Sequence, residues 1–134
     1  MISNLKNIVK VENPNGDIYK LLNKNDVEFN GFGECYITNI NKQKVKAWKM
    51  HRRMTCILIP ISGVTKCVIY NQKDKSFKEY FLDASEPKRL IITPNKIFGF
   101  CGHKTKSSIL NIADIKHDPN ESIKFDIKEF EYSW

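Results

Sequence analysis

The order of short strand-like segments and turns limits the possible folds of this chain more than any other feature. Turn signals such as Asn13-Pro14-Asn15-Gly16 separate the segments, and residues 41–44 and 61–63 have the composition of hairpin connections. A short turn is indicated after Asp118-Pro119, and no stretch has the periodicity of a long amphipathic helix. The spacing predicts an all-β sandwich or barrel, with strands at Lys6 to Glu12, Asp17 to Leu22, Glu34 to Ile40, Val45 to His51, Thr55 to Pro60, Val64 to Tyr70, Phe77 to Leu82, Arg89 to Thr93, Ile97 to Phe100 and Ser107 to Ile112.

Length and composition predict one globular domain over residues 1–134, with 41% hydrophobic and 28% charged residues. The net charge of +7 favours anionic partners. The basic residues are spread along the whole chain without the aromatic interleaving of a nucleic-acid site. We therefore expect no nucleic acid as a partner.

The apolar runs and the cysteines indicate in which cellular compartment the protein is expected. No run approaches the roughly 18 residues of a membrane span, and the first residues lack the apolar core of a signal peptide. We expect a cytoplasmic protein without a membrane partner. The cysteines lie in apolar strand-like runs without metal-ligand spacing, which favours buried free thiols over disulfides or zinc: Cys35, Cys56, Cys67 and Cys101.

The segment from Val45 to Arg53 carries an unusual row of cations. With the two-residue period of a strand, Lys49, His51 and Arg53 share one face, whereas Trp48 and Arg52 lie on the other. Such a row suits a cavity that binds a phosphate-bearing ligand. The alternative is a solvated basic edge strand, in which lysine blocks pairing with another sheet.

Several segments in order resemble the cupin-fold nucleotide-sugar enzymes, namely the dTDP-4-dehydrorhamnose 3,5-epimerases and the dTDP-4-keto-6-deoxyglucose ketoisomerases. The resemblance runs from about Gly31 to Pro119, and it implies a cupin-type jelly-roll. The segments that carry it are Gly63-Val64 with Cys67-Val68-Ile69-Tyr70, Phe77-Lys78-Glu79-Tyr80, the stretch from Lys88 to Asn95, Phe98-Gly99-Phe100, and Asn111-Ile112-Ala113-Asp114.

The chain departs from these families at positions that matter for the reaction. The His-x-His of the ketoisomerases corresponds to Lys49-Met50-His51, so that lysine replaces the first histidine. The histidine of the family His-Gly-Phe is Phe98, and the late-strand tyrosine of the epimerases corresponds to Leu110. Tyr36 stands at the spacing of the ketoisomerase strand tyrosine.

Isomerisation beside a carbonyl needs a base that removes a proton from carbon and a group that supports the enolate. His51 is the candidate base, with Lys49 or Tyr36 as the acid or enolate stabiliser, and Lys49 is expected to lower the pKa of His51. Arg53 is the better candidate for the diphosphate ligand because it shares a strand face with His51, whereas Arg52 points to the opposite face. Lys88 and Arg89 serve either a phosphate or the surface, and Trp48 is expected to pack between sheets or subunits.

The sequence predicts neither a metal nor another cofactor, because Lys49 replaces a histidine of the metal-binding pattern and the later ligands are missing. The expected function is a metal-free epimerase or ketoisomerase of a nucleotide-linked 4-keto sugar in surface polysaccharide synthesis. The alternative is a non-catalytic module that binds a sugar or nucleotide sugar on the same fold. Its ligand in either case is a nucleotide-diphosphate sugar.

The N-terminal apolar run from Leu5 to Val11 has no evident hairpin partner in the sequence. An unpaired edge strand can be covered by a second copy of the chain, and the families that this chain resembles are usually dimers. We therefore expect a homodimer. The alternative is that this run pairs with its own sheet in a monomer.

Overall fold

The computed structural model describes residues 4–134 and is all-β, as the sequence predicts; residues 1–3 of the expected domain lie outside the described residues. Every strand pair is antiparallel. The strands are β1 (Asn4–Asn7), β2 (Val9–Val11), β3 (Ile18–Lys20), β4 (Glu34–Ile40), β5 (Val45–His51), β6 (Cys56–Ser62), β7 (Val64–Asn71), β8 (Ser76–Asp83), β9 (Lys88–Ile92), β10 (Ile97–Gly102), β11 (Ser107–Ala113) and β12 (Ser122–Lys124).

Two five-stranded sheets form the sandwich. Sheet 1 has the order β1-β9-β6-β11-β4, sheet 2 has the order β12-β5-β10-β7-β8, and β2 with β3 forms a separate hairpin. Consecutive residues of a strand point to opposite faces, so Leu58 and Leu90 of sheet 1 meet Cys67 and Phe98 of sheet 2 in the core between the sheets. The long-range strand order is that of a jelly-roll rather than of a simple meander.

Both outer faces of the sandwich are covered in part by irregular chain. Leu21 and Leu22 pack on the outer face of sheet 1 against Ile57, Ile59 and Ile91. The outer face of sheet 2 carries Trp48, and it is covered by aromatic side chains of the C-terminal segment: Phe125, Phe130, Tyr132 and Trp134. Trp48 therefore packs under this segment and not between the two sheets, whereas the alternative expectation, that it packs between subunits, is not tested.

The N-terminal run is divided between two pairings, which corrects the expectation that it lacks a partner. β1 pairs with β9 at the edge of sheet 1, whereas β2 pairs with β3 across the Asn13–Gly16 turn. Ile8 separates the two strands and belongs to neither. The reason given for a dimer is therefore wrong, although the dimer itself is not tested by this pairing.

The cysteines are all free thiols, and Cys56, Cys67 and Cys101 are buried as expected. Cys35 is exposed, because it lies on the outward face of the edge strand β4. The expected turn after Asp118 is a short 3-10 helix, Pro119–Glu121, in which the Asp118 side chain accepts a hydrogen bond from the backbone N of Asn120. No helix in residues 4–134 is long and apolar enough to cross a membrane.

Candidate active site

A cavity of about 490 Å³ opens between the sheets where the edge strands β4 and β12 leave the sandwich unclosed. Its apolar wall includes Phe98, Phe100, Ile109 and Phe125. Its polar side chains come from both sheets and include cations but no carboxylate: Tyr36, Thr38, Lys46, Lys49, His51, Asn111 and Lys124. Of the candidates from the sequence, the structure brings together Tyr36, Lys49 and His51.

A β-bulge in β5 decides which of its side chains face the cavity. Lys49 is opposite Phe98 and Ala47 is opposite Gly99, so Trp48 has no partner of its own on β10. The extra residue changes the alternation, and Lys46 joins Lys49 and His51 in the cavity wall. Gly99 permits this close packing, because a Cβ there would lie 2.5 Å from the Cβ of Ala47.

His51 forms a buried pair with Glu121 at the closed end of β5. Its Nδ1 is hydrogen-bonded to Oε1 of Glu121, and the two side chains are 7% and 1% exposed. The other carboxylate oxygen, Oε2, accepts hydrogen bonds from the backbone N atoms of Arg53 and Met54, both at 3.2 Å. Glu121 had no signal in the sequence, since it lies 70 residues from His51.

The charges of this pair follow from its surroundings. Burial acts to raise the pKa of Glu121, but the hydrogen bonds from His51 and the two backbone amides outweigh it, so the pKa of Glu121 is lowered. Burial is the largest effect on the pKa of His51 and lowers it; Glu121 opposes this change and Lys49 adds to it, as expected. Near neutral pH the pair is therefore a neutral imidazole beside a carboxylate. Nδ1–H donates to Glu121, and Nε2 is the basic atom.

Tyr36 is a proton donor rather than a base. Its hydroxyl oxygen accepts a hydrogen bond of 2.8 Å from Nδ2 of Asn111 on the neighbouring strand β11. Burial, reinforced by the charges of Cys56 and Glu34, raises the pKa of Tyr36 to about 12. The phenol thus keeps its proton at neutral pH, and it lines the same cavity as His51.

Besides Lys49, two further family positions are replaced, and they have different surroundings. Phe98 stacks on the ring of His51, with centroids 6.0 Å apart. Leu110 lies on the outer face of sheet 1, away from the cavity. The cavity-facing neighbour on β11 is Asn111, which sequence reasoning did not single out.

Three lysines line the cavity without an acidic partner. Lys49 on β5 is directly opposite Lys124 on β12. Lys46 lies on the same strand as Lys49, on the other side of the bulge. Within residues 4–134, none of the three forms an ion pair. Like charges in opposed positions repel each other, so this arrangement favours a bound anion.

The four remaining candidates lie outside this cavity. Arg53 is the second residue after the end of β5, and its guanidinium pairs with Asp118 at 2.8 Å, which ties the 3-10 helix of Glu121 to the strand end. The side chain of Arg52 is exposed, and its backbone N donates to the carbonyl O of Glu121 at 2.7 Å.

Arg89 and its neighbour Lys88 belong to β9 of sheet 1, a strand that contributes no side chain to the cavity wall. The buried guanidinium of Arg89 donates to the carbonyl O of Leu21 at 3.1 Å and pairs with Glu28 at 3.3 Å. Arg89 therefore holds the segment that covers sheet 1. Lys88 is half-buried and pairs in register with Asn7.

The described residues contain no group of three or more His, Cys, Asp or Glu side chains that could hold a metal ion. The absence of a metal from the reaction stays a prediction. The cavity's own groups supply a neutral imidazole, a protonated phenol and fixed ammonium charges, which suffice for proton transfer beside a carbonyl.

Comparison with solved structures shows the same fold in several nucleotide-sugar enzymes. A dTDP sugar isomerase from Desulfovibrio desulfuricans G20 has a TM-score of 0.87 and 26% sequence identity, over 98% of this chain and 90% of that one. A dTDP-4-dehydrorhamnose 3,5-epimerase from Bacillus anthracis, solved with TDP and PPi, has a TM-score of 0.84 and 16% identity, over 98% and 84% of the two chains.

A sugar 3,4-ketoisomerase from Thermoanaerobacterium thermosaccharolyticum, solved with TDP, has a TM-score of 0.79 and 17% identity, over 92% and 88% of the two chains. The last two likenesses establish the fold only. A search of curated proteins finds no match. A protein-family model described as FdtA: WxcM-like, C-terminal matches residues 1–133. Because this match spans nearly all of the chain, the protein belongs to the FdtA (WxcM-like, C-terminal) family.

Proposed function

We propose that this chain is an epimerase or ketoisomerase of a nucleotide-linked 4-keto sugar and that it works without a metal. The observation that carries the proposal is the His51–Glu121 pair, which presents a neutral imidazole to a cavity with a protonated phenol and an ammonium group. The family match and the dTDP-sugar isomerase of similar sequence support the substrate class. The predicted cytoplasmic location and the role in surface polysaccharide synthesis remain part of this proposal.

In the proposed reaction, Nε2 of His51 removes a proton from the carbon beside the ketone. The electron pair of the C–H bond forms the enolate C=C bond, and the carbonyl electrons move to oxygen. The ammonium of Lys49 and the hydroxyl of Tyr36 stabilise that oxygen. Return of a proton to the same carbon from the other face gives an epimer. The isomeric ketone forms instead when the adjacent hydroxyl gives its proton to the former carbonyl oxygen, its own C–O bond becomes the new C=O bond, and the former carbonyl carbon receives the proton from His51.

Incubation with dTDP-4-keto-6-deoxyglucose in deuterated water tests this proposal. We expect solvent deuterium in the sugar ring, detected by mass spectrometry, and none with heat-inactivated protein. Absence of exchange with several 4-keto nucleotide sugars would overturn the enzymatic proposal. If these sugars nevertheless bind, the chain is the non-catalytic binding module instead.

The lysines replace the arginines as our proposed diphosphate ligands. Lys46 and Lys124 are exposed at the mouth of the cavity, whereas Arg53 is paired with Asp118 and Arg89 with Glu28. An ammonium group binds phosphate as a point charge, and a diphosphate between the lysines would relieve their repulsion.

We expect Lys124→Gln to weaken dTDP binding by about 3- to 10-fold, measured by calorimetry at low salt. The free variant should be no less stable than the parent protein, because a like-charge contact with Lys49 is removed. Lys128→Gln, which changes an exposed lysine outside the cavity, is the matched control. Equal dTDP affinity for the two variants would refute the assignment.

We further propose that the protein is a homodimer, now on the basis of its exposed apolar side chains. Val9 and Ile18 of the β2–β3 hairpin are 60% and 54% exposed, and Val27 and Phe32 are also exposed. Val9 and Ile18 share one face of the hairpin, since Ile18 is opposite Val11, and an exposed apolar face of this kind is typical of an interface. Light scattering should give twice the mass of the 15.6 kDa chain, and the mass of a single chain at working concentrations would contradict the dimer.

A further inference from the structure

Asn111 is a buried side chain with one polar atom left unpaired beside the cavity. The residue is 7% exposed, and its Oδ1 has no hydrogen-bond partner among the described residues. A buried acceptor without a partner is costly, and native structures rarely leave one without a reason. Oδ1 is itself buried, but Asn111 lines the cavity, so a small turn of its side chain toward the cavity lets a bound ligand supply the missing donor.

The other end of the same amide fixes the neighbouring group. Nδ2 of Asn111 donates to the hydroxyl oxygen of Tyr36 at 2.8 Å, so the phenolic proton remains available to another acceptor. The two side chains are opposite each other in the β4–β11 pairing. They therefore offer a ligand one hydrogen-bond donor, the Tyr36 hydroxyl, next to one acceptor, Oδ1 of Asn111.

We infer that Asn111 and Tyr36 together recognise an α-hydroxyketone, with the ketone oxygen at the Tyr36 hydroxyl and the adjacent hydroxyl donating to Oδ1 of Asn111. This inference rests on the proposed function and adds the group that the site selects. Asn111 becomes a specificity-determining residue: it accepts a hydrogen bond that an analogue without that hydroxyl cannot make. A site with a buried unpaired acceptor discriminates against such an analogue more strongly than an apolar wall does.

The recognised pair of groups also fits the chemistry of the site. In the enolate formed by His51, the hydroxyl and the former carbonyl oxygen lie on the two carbons of the double bond. Holding both oxygens in one plane keeps the enolate flat, as conjugation requires. Asn111 thereby orients the substrate without taking part in proton transfer itself.

The test compares two ligands in two proteins. The ligands are dTDP-4-keto-6-deoxyglucose and its 3-deoxy analogue, which lacks the hydroxyl beside the ketone. We expect the parent protein to bind the hydroxylated sugar about 10-fold more tightly. In Asn111→Leu, the leucine side chain has nearly the same shape but no acceptor, so the affinities for the two sugars should become about equal. Binding of dTDP alone should not change.

The ratio of two affinities in one variant is independent of how much of that variant is folded. If Asn111→Leu gives no folded protein, Asn111→Ala provides the same ratio. Asn39→Leu is the matched control, since it makes the same change on the exposed face of β4 and should keep the preference. An unchanged preference in the Asn111 variants overturns this inference alone, whereas failure of both sugars to bind the parent protein overturns the proposed function with it.

Discussion

Replacement of His51 by glutamine is expected to slow the incorporation of solvent deuterium into a 4-keto nucleotide sugar by about 10²- to 10⁴-fold. His51 is the only histidine of the cavity wall, and glutamine keeps a polar side chain of similar length without a basic nitrogen. The affinity for dTDP should change little, because the proposed phosphate ligands are lysines. His117→Gln, a change at an exposed histidine outside the cavity, should leave the exchange rate unaltered.

The pH dependence of kcat/KM gives a second test of the same pair. The pKa of His51 is lowered from its usual 6.5, so the basic form persists to more acidic pH and the acid limb of the profile should lie below pH 6.5. Glu121 opposes this lowering, and Glu121→Gln removes that opposition. The acid limb should then move to still lower pH, while the plateau falls by at least about tenfold because the imidazole loses its orienting carboxylate.

A His51→Gln variant that exchanges deuterium at the parent rate would remove His51 from the mechanism. A Glu121→Gln profile with its acid limb at higher pH would contradict the proposed charges of the pair. Loss of exchange in both variants together with loss of dTDP binding would instead indicate unfolding, and circular dichroism of each variant separates that outcome.

Replacement of Trp48 by alanine is expected to lower the free energy of unfolding by about 3–5 kcal/mol. The ring is 2% exposed and packs against Phe77 and the C-terminal aromatic side chains, with its centroid 5.1 Å from that of Trp134. Its Nε1 donates to the carbonyl O of Ile127 at 3.2 Å. The variant leaves a cavity under the segment that covers sheet 2 and removes one attachment of that segment.

Urea unfolding at 25 °C measures this loss. Phe81→Ala is the control: Phe81 is 47% exposed on β8, and its removal should cost only about 0.5 kcal/mol. Similar losses for the two variants would mean that the C-terminal aromatic cluster contributes little to stability. Because Trp48 is the bulge residue of β5, its loss should also disturb the neighbouring Lys49 and reduce dTDP affinity.

The local pattern of the sequence determined the fold class and part of the site. Alternation of side chains and turn residues depends only on near neighbours, so most strands could be located from the chain alone. The same alternation identified Lys49 and His51 as one face, and the spacing of the resembling family identified Tyr36. All three line the cavity.

Only the tertiary structure decided which groups complete the site. Glu121 and Asn111 reach His51 and Tyr36 through contacts 70 and 75 residues apart in the chain, which no local pattern encodes. The bulge at Trp48 brought Lys46 to the cavity against the simple alternation. Arg53 and Arg89 form ion pairs with Asp118 and Glu28 and do not line the cavity. Opposite charges attract strongly only at short distance, and which carboxylate lies close to each arginine depends on the folded chain.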